Sequence, residues 1–553
     1  MKKRFPVEVT RGVNRPGISF NGKPLYSDGS PPEKRVRGLP HASDALYIVV
    51  SPLLFYGVDE LLEIIPEGSS CIAVEHNHDI YNATLSFHKQ SGVKNFRYIY
   101  VDEDSAATLL RSLTDSWFRR IIPVKLNRGY MIERAFYDDM LNKLENGLAS
   151  FWKNRMTTIH MGRLWCRNIF LNTVEIYRAG FITDISTDKP VICLGAGESL
   201  EESLAFIKRR RGGFFVVAAD TAVTSLLLGG IKPDLVVAVE SQHANLYDFY
   251  EDESLNLPVA ADMTSSPELL RKIRGPLYLF ISEFDFSCIF RLLDNSGILP
   301  PLLPPLGSVG LTSIMISLMI TDQPILFSGL DFSFTPDKYH ASGSPSHIIT
   351  QMSENRLHRS SFFAAAFRDG RTKTVDKAGR IVYTDIIMSS YSDTLSELIE
   401  HSGRLIDMGV YGLDNPAPKY SDALFDNMSA EISGKPDFEA AVNYKRIREL
   451  PDAFSGPAGR SASTAFLKQQ LDRLNAAISA AVDFQNTRTD SMEGRGSRLP
   501  EDLEALLKSV DYCWIFFPDR KPLPSSDPSF IRRFLFSAAW MSSQISNALS
   551  IID

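Results

Sequence analysis

The strongest constraint on the fold is a series of six short apolar runs between residues 190 and 415, each followed by a polar residue or glycine. Continuous apolar runs of this length predict strands that are buried on both faces, as in a parallel sheet covered by helices. Ligands of such sheets bind beyond the carboxyl ends of the strands. The polar residues that follow the runs are therefore predicted to lie along one edge of the sheet. The carboxylates among them are Asp220, Glu240, Asp262, Glu283 and Asp331.

Patterns elsewhere divide the chain into four segments. Residues 1–126 hold three further strand-like runs behind an irregular lead-in, which predicts a small N-terminal α/β domain. Residues 127–189 are predicted to form a helical connector, and residues 190–415 the central domain. Residues 416–553 carry apolar residues at helical spacing, which predicts a helical C-terminal domain. The predicted fold class is α/β, with a central Rossmann-like parallel sheet, a smaller N-terminal α/β domain and a helical C-terminal domain.

Composition excludes several classes of protein. The formal net charge is −7, from 59 Lys and Arg against 66 Asp and Glu, which argues against a dedicated nucleic-acid binder. No apolar run approaches the ~18 residues of a membrane span, and no apolar stretch follows the basic start Met1–Pro6, so no secretory signal is expected. The five cysteines are far apart and form no C-x-x-C pair, which argues against a disulfide framework or a zinc site. We therefore expect a cytoplasmic protein without membrane insertion and without a nucleic-acid partner.

The first motif is the stretch LGAGESLEE at residues 194–202, between a predicted strand and a predicted helix. Ser199 followed by Glu202 fits the capping box that opens a helix. The free N–H groups at a helix start suit a phosphate. A dinucleotide site is disfavoured, because Leu200 stands where G-x-G-x-x-G has its third glycine. Two interpretations stay open, a mononucleotide phosphate loop and an ordinary strand–helix turn.

Two further motifs follow predicted strands. Asp220, in the stretch AADTA at residues 218–222, is a candidate for binding a ribose or a base. The stretch LGSVGLTS at residues 306–313 opens an apolar helix and again suits a phosphate or sugar hydroxyls. His340 and His347 follow Asp331 closely, and histidine is the side chain whose ordinary pKa suits proton removal near neutral pH.

Together these motifs resemble two related families. The stretch GAGESL after a strand, and GSV before a helix that leads to SGLDF, resemble the core of bacterial sialyltransferases. The intervening AADTA and IKPD stretches, and the later DKAGR at residues 376–380 with Thr384, more closely resemble the motility accessory factor (Maf) family. Maf proteins are flagellin glycosyltransferases that transfer nonulosonic acids from a cytidine-monophosphate (CMP) donor to Ser or Thr. The resemblance covers residues 190–415 best, extends more weakly over 46–126 and is only architectural beyond 416.

The resemblance implies a nucleotide site and a catalytic pair. Glu198 stands where the commoner family pattern has proline. A carboxylate beside a phosphate would repel it, so Glu198 is expected to point away or the pocket to differ. Asp331 matches the family's acidic residue after the later strand and forms the candidate catalytic pair with His340. The nucleotide-binding residues implied are Gly195, Gly197, Glu198, Ser199, Leu200, Asp220, Thr221, Glu240, Gly307, Ser308 and Val309.

The role of His340 has open alternatives. It is the candidate base, but His347, a base elsewhere in the chain, or no base at all also fit the sequence. A cationic His340 that holds the donor's carboxylate or phosphate is a further alternative. Replacing His340 by Asn separates these roles through turnover and donor affinity.

The function implied is that of an inverting protein O-glycosyltransferase needed for flagellum assembly and motility. A flagellin hydroxyl would attack the anomeric carbon of the donor sugar, and CMP would leave. No cofactor is required on this hypothesis, no metal site is predicted, and Mg²⁺ is left as an optional ion. Two alternatives stay open: a hydroxymethylpterin pyrophosphokinase-like enzyme that uses ATP and Mg²⁺, and a non-catalytic flagellin-binding assembly protein.

Overall fold

The computed structural model of the chain divides into two compact units, Met1–Thr157 with Pro518–Lys521, and Thr158–Phe517 with Pro522–Asp553. The domain boundaries predicted at residues 126, 189 and 415 are a finer division and stay predictions. The basic start of the chain, considered above for a signal, lies outside the described residues. The structure describes residues 7–11, 15–26, 31–90, 96–102, 109, 118–284, 287–354, 356, 366–425, 457–490, 499–518 and 524–552.

The first unit is built on a four-stranded parallel sheet. A small antiparallel sheet of β1 (Val7–Thr10), β2 (Gly17–Phe20) and β3 (Lys23–Pro24) precedes the parallel strands β4 (Ala45–Val50), β5 (Ser70–Glu75), β6 (Arg97–Tyr100) and β7 (Arg120–Val124). The parallel order is β6-β5-β4-β7. The three apolar runs predicted as strands are found as β4, β5 and β6. The helices described here are α1 (Pro32–Val36), α2 (Val58–Ile64), α3 (His78–Gln90) and the start of α4 (Arg134–Asn172).

The second unit contains a nine-stranded sheet in which every pair of neighbours is parallel. The order is β14-β13-β12-β11-β10-β9-β15-β18, with β8 beside β13. All six predicted strands are present, as β9 to β13 and β15. The bounds are β8 (Gly180–Phe181), β9 (Val191–Leu194), β10 (Phe215–Ala219), β11 (Leu235–Ala238), β12 (Val259–Asp262), β13 (Leu277–Ser282), β14 (Leu302–Leu303), β15 (Ile325–Ser328), the antiparallel hairpin β16 (Arg371–Val375) with β17 (Ile381–Asp385), and β18 (Leu405–Asp407).

The order of the strands reverses at β9. The chain runs from β9 outward to β14 on one side and then returns to place β15 on the other side of β9. The carboxyl ends of β9 and its two neighbours therefore form a topological switch point, the place where ligands of open parallel sheets bind. The first glycine motif follows β9 at this point. The second glycine motif precedes α9, the helix that leads to β15.

Helices cover both faces of this sheet, as the continuous apolar strands predicted. Ile192 and Val216 belong to one buried cluster, whereas Val191 and Val217 belong to another on the opposite face. The apolar stretch 314–320 is the buried end of α9, as predicted. The helices of this part are α5 (Ser199–Arg210), α6 (Val223–Leu228), α7 (Pro267–Lys272), α8 (Cys288–Asn295), α9 (Val309–Ile320), α10 (Pro345–Ser353) and α11 (Ile386–Ser402).

The C-terminal part is helical, with α12 (Pro457–Asp490), α13 (Glu501–Ser509) and α14 (Pro528–Ile552). Leu467 and Leu474 of α12 and Met541 of α14 are fully buried in the same cluster as one face of the large sheet. The apolar faces of these helices therefore belong to the core, although Val482 is 38% exposed. None of the helices in the described residues is long and apolar enough to cross a membrane. All five cysteines are buried free thiols.

Candidate functional site

The carboxyl ends of β9 and β15 approach each other so closely that both require glycine. A Cβ atom on Gly195 would overlap the carbonyl oxygen of Gly329, and a Cβ atom on Gly329, whose φ is +73°, would overlap that of Gly195. The Gly195 N–H donates to the carbonyl of Ser328 at 2.9 Å, and the Gly197 N–H donates to that of Gly329 at 2.8 Å. The first glycine motif is thus fixed against the end of β15.

Asp331 occupies the start of α5. Ser199 donates its backbone N–H to Asp331 Oδ2 at 2.9 Å and its hydroxyl to Asp331 Oδ1. The capping box predicted from Ser199 and Glu202 is wrong, because Ser199 is the first helical residue and its hydroxyl serves a carboxylate 132 positions away. The N–H groups of the next two residues, Leu200 and Glu201, donate to carbonyls of the loop at 3.1 Å. An internal anion therefore stands where the sequence predicted a phosphate.

The carboxyl of Asp331 is buried, with 5% of the residue exposed. Burial raises the pKa of Asp331 to about 6, although hydrogen bonds from Ser199 and the charge of Lys377 favour the ionised form. A Cβ atom on Gly197 would lie 2.6 Å from Asp331 Cγ. The glycine at 197 is therefore required by the position of this carboxylate.

The second glycine motif lies beside the first. The Leu330 side chain fills the space next to both Gly195 and Gly310, where a Cβ atom would overlap it. Gly307 has φ +70°, and Ser308 is the N-cap residue of α9. The Thr312 N–H donates to the carbonyl of Ser308 at 3.0 Å and forms the first hydrogen bond of the helix. In the described part of the chain, no acceptor is found for the N–H groups of residues 309–311, as is usual for the first turn of a helix, and such a turn suits an anion.

A set of hydrogen-bond acceptors lies at the ends of β10 and β11. Asn245 Nδ2 donates to Asp220 Oδ2 at 2.8 Å and to Asp248 Oδ2 at 3.2 Å, and the Thr221 N–H donates to Asp220 Oδ1 at 2.8 Å. Burial raises the pKa values of both Asp220 and Asp248, and the charge of Asp220 raises the pKa of Asp248 further. Glu240 is exposed and accepts the Gln242 N–H at 3.0 Å. Asn245 and Asp248 were missed by the sequence analysis, because single polar residues in a short helical segment carry no distinguishing pattern.

The remaining carboxylates of the predicted edge have other surroundings. Asp262 is buried and accepts the N–H groups of Thr264 at 2.7 Å and Ser282 at 2.9 Å, so it ties two strand ends together. Glu283 is exposed beyond β13. Among the described residues, no group of three or more His, Cys, Asp or Glu is placed to hold a metal ion. The predicted edge exists in the strand order, but its carboxylates do not form one cluster.

The segment after β15 brings His340 to the first glycine loop. The Ala341 N–H donates to the carbonyl of Ala196 at 2.8 Å. Burial lowers the pKa of His340 to about 4, partly offset by a hydrogen bond to the backbone of Ala196, so the imidazole is neutral at pH 7. His347 lies on α10, where burial also lowers its pKa. The structure thus brings both predicted catalytic residues, Asp331 and His340, to the same loop.

The hairpin β16–β17 brings a guanidinium to the same loop. Arg380 Nη1 and Nη2 lie 3.1 Å from Glu198 Oε1 and Oε2, and Arg380 Nε lies 2.9 Å from Asp376 Oδ2. The guanidinium carbon is 3.4 Å from the centre of the Tyr411 ring. The charge of Glu198 is therefore paired with Arg380. The DKAGR stretch contributed only to the resemblance, and nothing in its local sequence indicates Glu198 as the partner of Arg380.

Comparison with solved structures finds the structure of MAf glycosyltransferase from Magnetospirillum magneticum AMB-1, with a TM-score of 0.51 and 13% sequence identity, covering 99% of this chain and 87% of that chain. This chain has the fold of that glycosyltransferase.

Comparison by sequence finds similar proteins without an established role. A family model described as 6-hydroxymethylpterin diphosphokinase MptE-like matches residues 167–337. That range contains both glycine loops and Asp331 but neither His340 nor Arg380. An uncharacterized protein of Treponema pallidum (strain Nichols) is 25% identical over 516 residues, 91% of this chain and 88% of that protein. A second one from the same organism is 33% identical over 94 residues, 17% of this chain and 44% of that protein.

Proposed function

We propose that this protein is an inverting glycosyltransferase that transfers a nonulosonic acid from a CMP donor to Ser or Thr of flagellin, in the cytoplasm, for flagellum assembly and motility. The observation that carries the proposal is the meeting of two glycine loops at the switch point of a parallel sheet. The fold shared with a Maf glycosyltransferase over nearly the whole chain supports the same choice.

The donor phosphate is assigned to the first turn of α9. Asp331 already engages the start of α5, so a phosphate there would meet a carboxylate. The N–H groups of Val309 and Gly310 at the helix start, with the Ser308 hydroxyl, are donors without that competition. On this proposal Gly195, Gly197 and Leu200 shape the floor of the site and do not bind the phosphate themselves.

The nucleoside is assigned to the acceptors beyond β10 and β11. Ribose hydroxyls and the cytosine amino group are donors that carboxylate oxygens accept. Glu240 is exposed to such groups, whereas Asp220 is buried and would have to share oxygens that already accept hydrogen bonds. Asn245 and the Thr221 N–H hold Asp220 in place. Asp220 was the residue predicted from the sequence to bind a ribose or a base, and Glu240 belongs to the implied nucleotide-binding residues.

The chemistry needs a base and a stabilised leaving group. In the transfer, a Ser or Thr oxygen bonds to the anomeric carbon, the bond from that carbon to the phosphate oxygen breaks, and the hydroxyl proton moves to a base. His340 is neutral at pH 7 and is the first candidate to accept that proton, although burial lowers its pKa to about 4 and so makes it a weak base. Asp331, with its pKa raised to about 6, is the second candidate for the proton. The helix start at α9 stabilises the CMP that leaves.

Nucleotide binding tests the donor assignment. We expect CMP to bind, measured by calorimetry, and Val309→Asp to weaken binding by about tenfold or more, because the new carboxylate occupies the helix start. Val309→Asn is the matched control without the charge. Gly197 is unsuitable for such a test, since any side chain there collides with Asp331. Equal CMP affinity in both Val309 variants would contradict the phosphate assignment. Binding of ATP but not CMP, with pyrophosphoryl transfer to a hydroxymethylpterin, would replace the proposal.

The acceptor is tested in cells. A strain that lacks this protein should make flagellin whose intact mass is lower by whole sugar residues, and re-expression of the wild-type chain should restore the mass. Re-expression of His340→Asn then tests whether this side chain is needed for the transfer. Flagellin of unchanged mass in the deletion strain would remove flagellin as the acceptor. The transfer is proposed to need no cofactor, so EDTA should leave its rate unchanged.

A further inference from the structure

Three side chains, those of Asp376, Tyr411 and Glu198, contact the Arg380 guanidinium. The first two contacts are fixed, whereas the third is exchangeable. Asp376 accepts the backbone N–H groups of Ala378 at 3.0 Å and Arg380 at 2.8 Å, besides Arg380 Nε at 2.9 Å. The Asp376 side chain is fully buried. Tyr411 lies flat against the guanidinium at 3.4 Å. The inner edge and one face of the group are therefore fixed by the protein.

The outer edge carries the two terminal nitrogens, and Glu198 is the group that meets them. Its two oxygens match Nη1 and Nη2 at 3.1 Å each, the paired geometry that a carboxylate or phosphate forms with arginine. The Glu198 side chain is 21% exposed. A ligand anion with two oxygens in the same geometry restores both contacts that Glu198 gives up, so the exchange leaves neither terminal nitrogen without a partner. Asp376 is not exchangeable in this way, because its side chain is buried within the turn of the hairpin.

Glu198 also lies in the loop that the donor must approach. It directly follows Gly197 and precedes Ser199, whose N–H is bound to Asp331. A ligand anion that reached this loop would meet the Glu198 charge first, unless that carboxylate rotates away. Rotation of Glu198 uncovers two donors of Arg380 at the same moment. A single movement of the Glu198 side chain would therefore both remove the repulsion of the anion and expose the arginine that recognises it.

We propose that Arg380 is the receptor for an anionic group of the donor and that Glu198 is a built-in competitor, occupying the receptor until the anion displaces it. The inference rests on the proposed function for the identity of the donor, because both its phosphate and the carboxylate of its sugar have the required pair of oxygens. It assigns a specificity role to the β16–β17 hairpin. An uncharged sugar donor gains nothing from displacing Glu198.

The test compares anion binding in Glu198→Gln and Arg380→Lys. Glu198→Gln removes the competing charge and should tighten binding of the recognised anion by about three- to tenfold. Arg380→Lys keeps the charge beside Asp376 but loses the paired geometry, and it should weaken binding by about tenfold. Glu202→Gln is the matched control, since Glu202 is an exposed carboxylate on the same helix. Circular dichroism and thermal unfolding verify that the three variants are folded.

The probes are inorganic phosphate, CMP, cytidine and free N-acetylneuraminic acid, each measured by calorimetry. Tightening for phosphate and CMP identifies the donor phosphate as the anion and moves it from the first turn of α9 to Arg380. Tightening for the sugar acid alone identifies the sugar carboxylate and leaves the phosphate at α9. Cytidine should bind all variants equally. In the double variant Glu198→Gln with Arg380→Lys, the gain from Glu198→Gln should disappear.

Two outcomes overturn the inference. One is equal binding of every anion by Glu198→Gln and Glu202→Gln. The other is a gain that persists in the double variant, because it would then not act through Arg380. Failure of the proposed function gives a different result: wild type binds no CMP, while Glu198→Gln still binds phosphate more tightly through Arg380.

Discussion

Replacing Asp331 by Asn should make the free energy of unfolding of the second unit depend less on pH. The wild-type carboxyl is enclosed at the start of α5, where Ser199 donates two hydrogen bonds to it. Asn keeps the shape and one acceptor but cannot ionise. It presents an amide group to the Ser199 hydroxyl, which adds a loss of about 1–2 kcal/mol that does not depend on pH.

The magnitude follows from the pKa. The pKa of Asp331 is raised from its ordinary 3.8 to about 6 in the folded chain. Below pH 3.8 the carboxyl is protonated in both the folded and unfolded states and costs nothing. As the pH rises towards 6, the unfolded state ionises first, so the wild type loses stability. Above pH 6 the loss is constant at about 3 kcal/mol, of which about 2.4 kcal/mol develops between pH 4 and pH 7.5.

The free energy of unfolding should therefore fall by about 2.4 kcal/mol less in Asp331→Asn than in wild type over that pH interval. Urea unfolding followed by tryptophan fluorescence measures it, since Trp165, Trp514 and Trp540 lie in the second unit. Ser199→Ala is the opposing control: it removes a hydrogen bond that favours the ionised carboxyl, so the pH dependence should become steeper. A difference between wild type and Asp331→Asn that is the same at pH 4 and pH 7.5 would refute the reasoning.

Two further predictions concern the loop and the base. Gly195→Ala forces a Cβ atom into the backbone of Gly329 and should cost about 3 kcal/mol or more of stability. Gly212→Ala is the control and should cost little, because nothing lies within 4 Å of its Cβ position. Equal thermal midpoints in the two variants would contradict the close approach of Gly195 and Gly329. If His340 is the base, the transfer rate should be constant from pH 5.5 to 8 and fall only near pH 4, whereas a limb near pH 6 would assign the proton to Asp331. His340→Asn should lower turnover strongly with little change in donor affinity; normal turnover excludes His340 as the base, and weakened donor binding alone makes it a binding residue.

The large sheet was predictable because its main strands are continuous apolar runs. Such a run can be identified in the sequence without knowing which strand it pairs with. The strands β8, β14 and β18 were not predicted, since two or three residues leave no pattern. β7 was missed for a related reason, because Pro123 interrupts its apolar residues. The switch point could not be derived from the sequence, as the order of strands depends on which side of β9 the chain returns to.

Local rules failed at the candidate site where distant residues decide. Ser199 and Glu202 satisfy the sequence pattern of a capping box, but the carboxylate of Asp331 reaches the helix start from another strand. The pairing of Glu198 with Arg380 joins residues 182 positions apart and is equally invisible in either local stretch. By contrast, the two glycine motifs were found from the sequence, because glycine turns between a strand and a helix have a local cause.

The contact between Gly195 and Gly329 has a consequence for how this chain can diverge. Each glycine excludes a side chain on the other strand, so neither position can change alone while the strand ends remain in contact. A descendant with a side chain at either position must have moved β9 and β15 apart, and with them Ser199, Leu330 and Asp331. This pair of glycines therefore separates relatives that retain the arrangement of the site from relatives that retain only the sheet, even where the surrounding residues have diverged too far to be aligned.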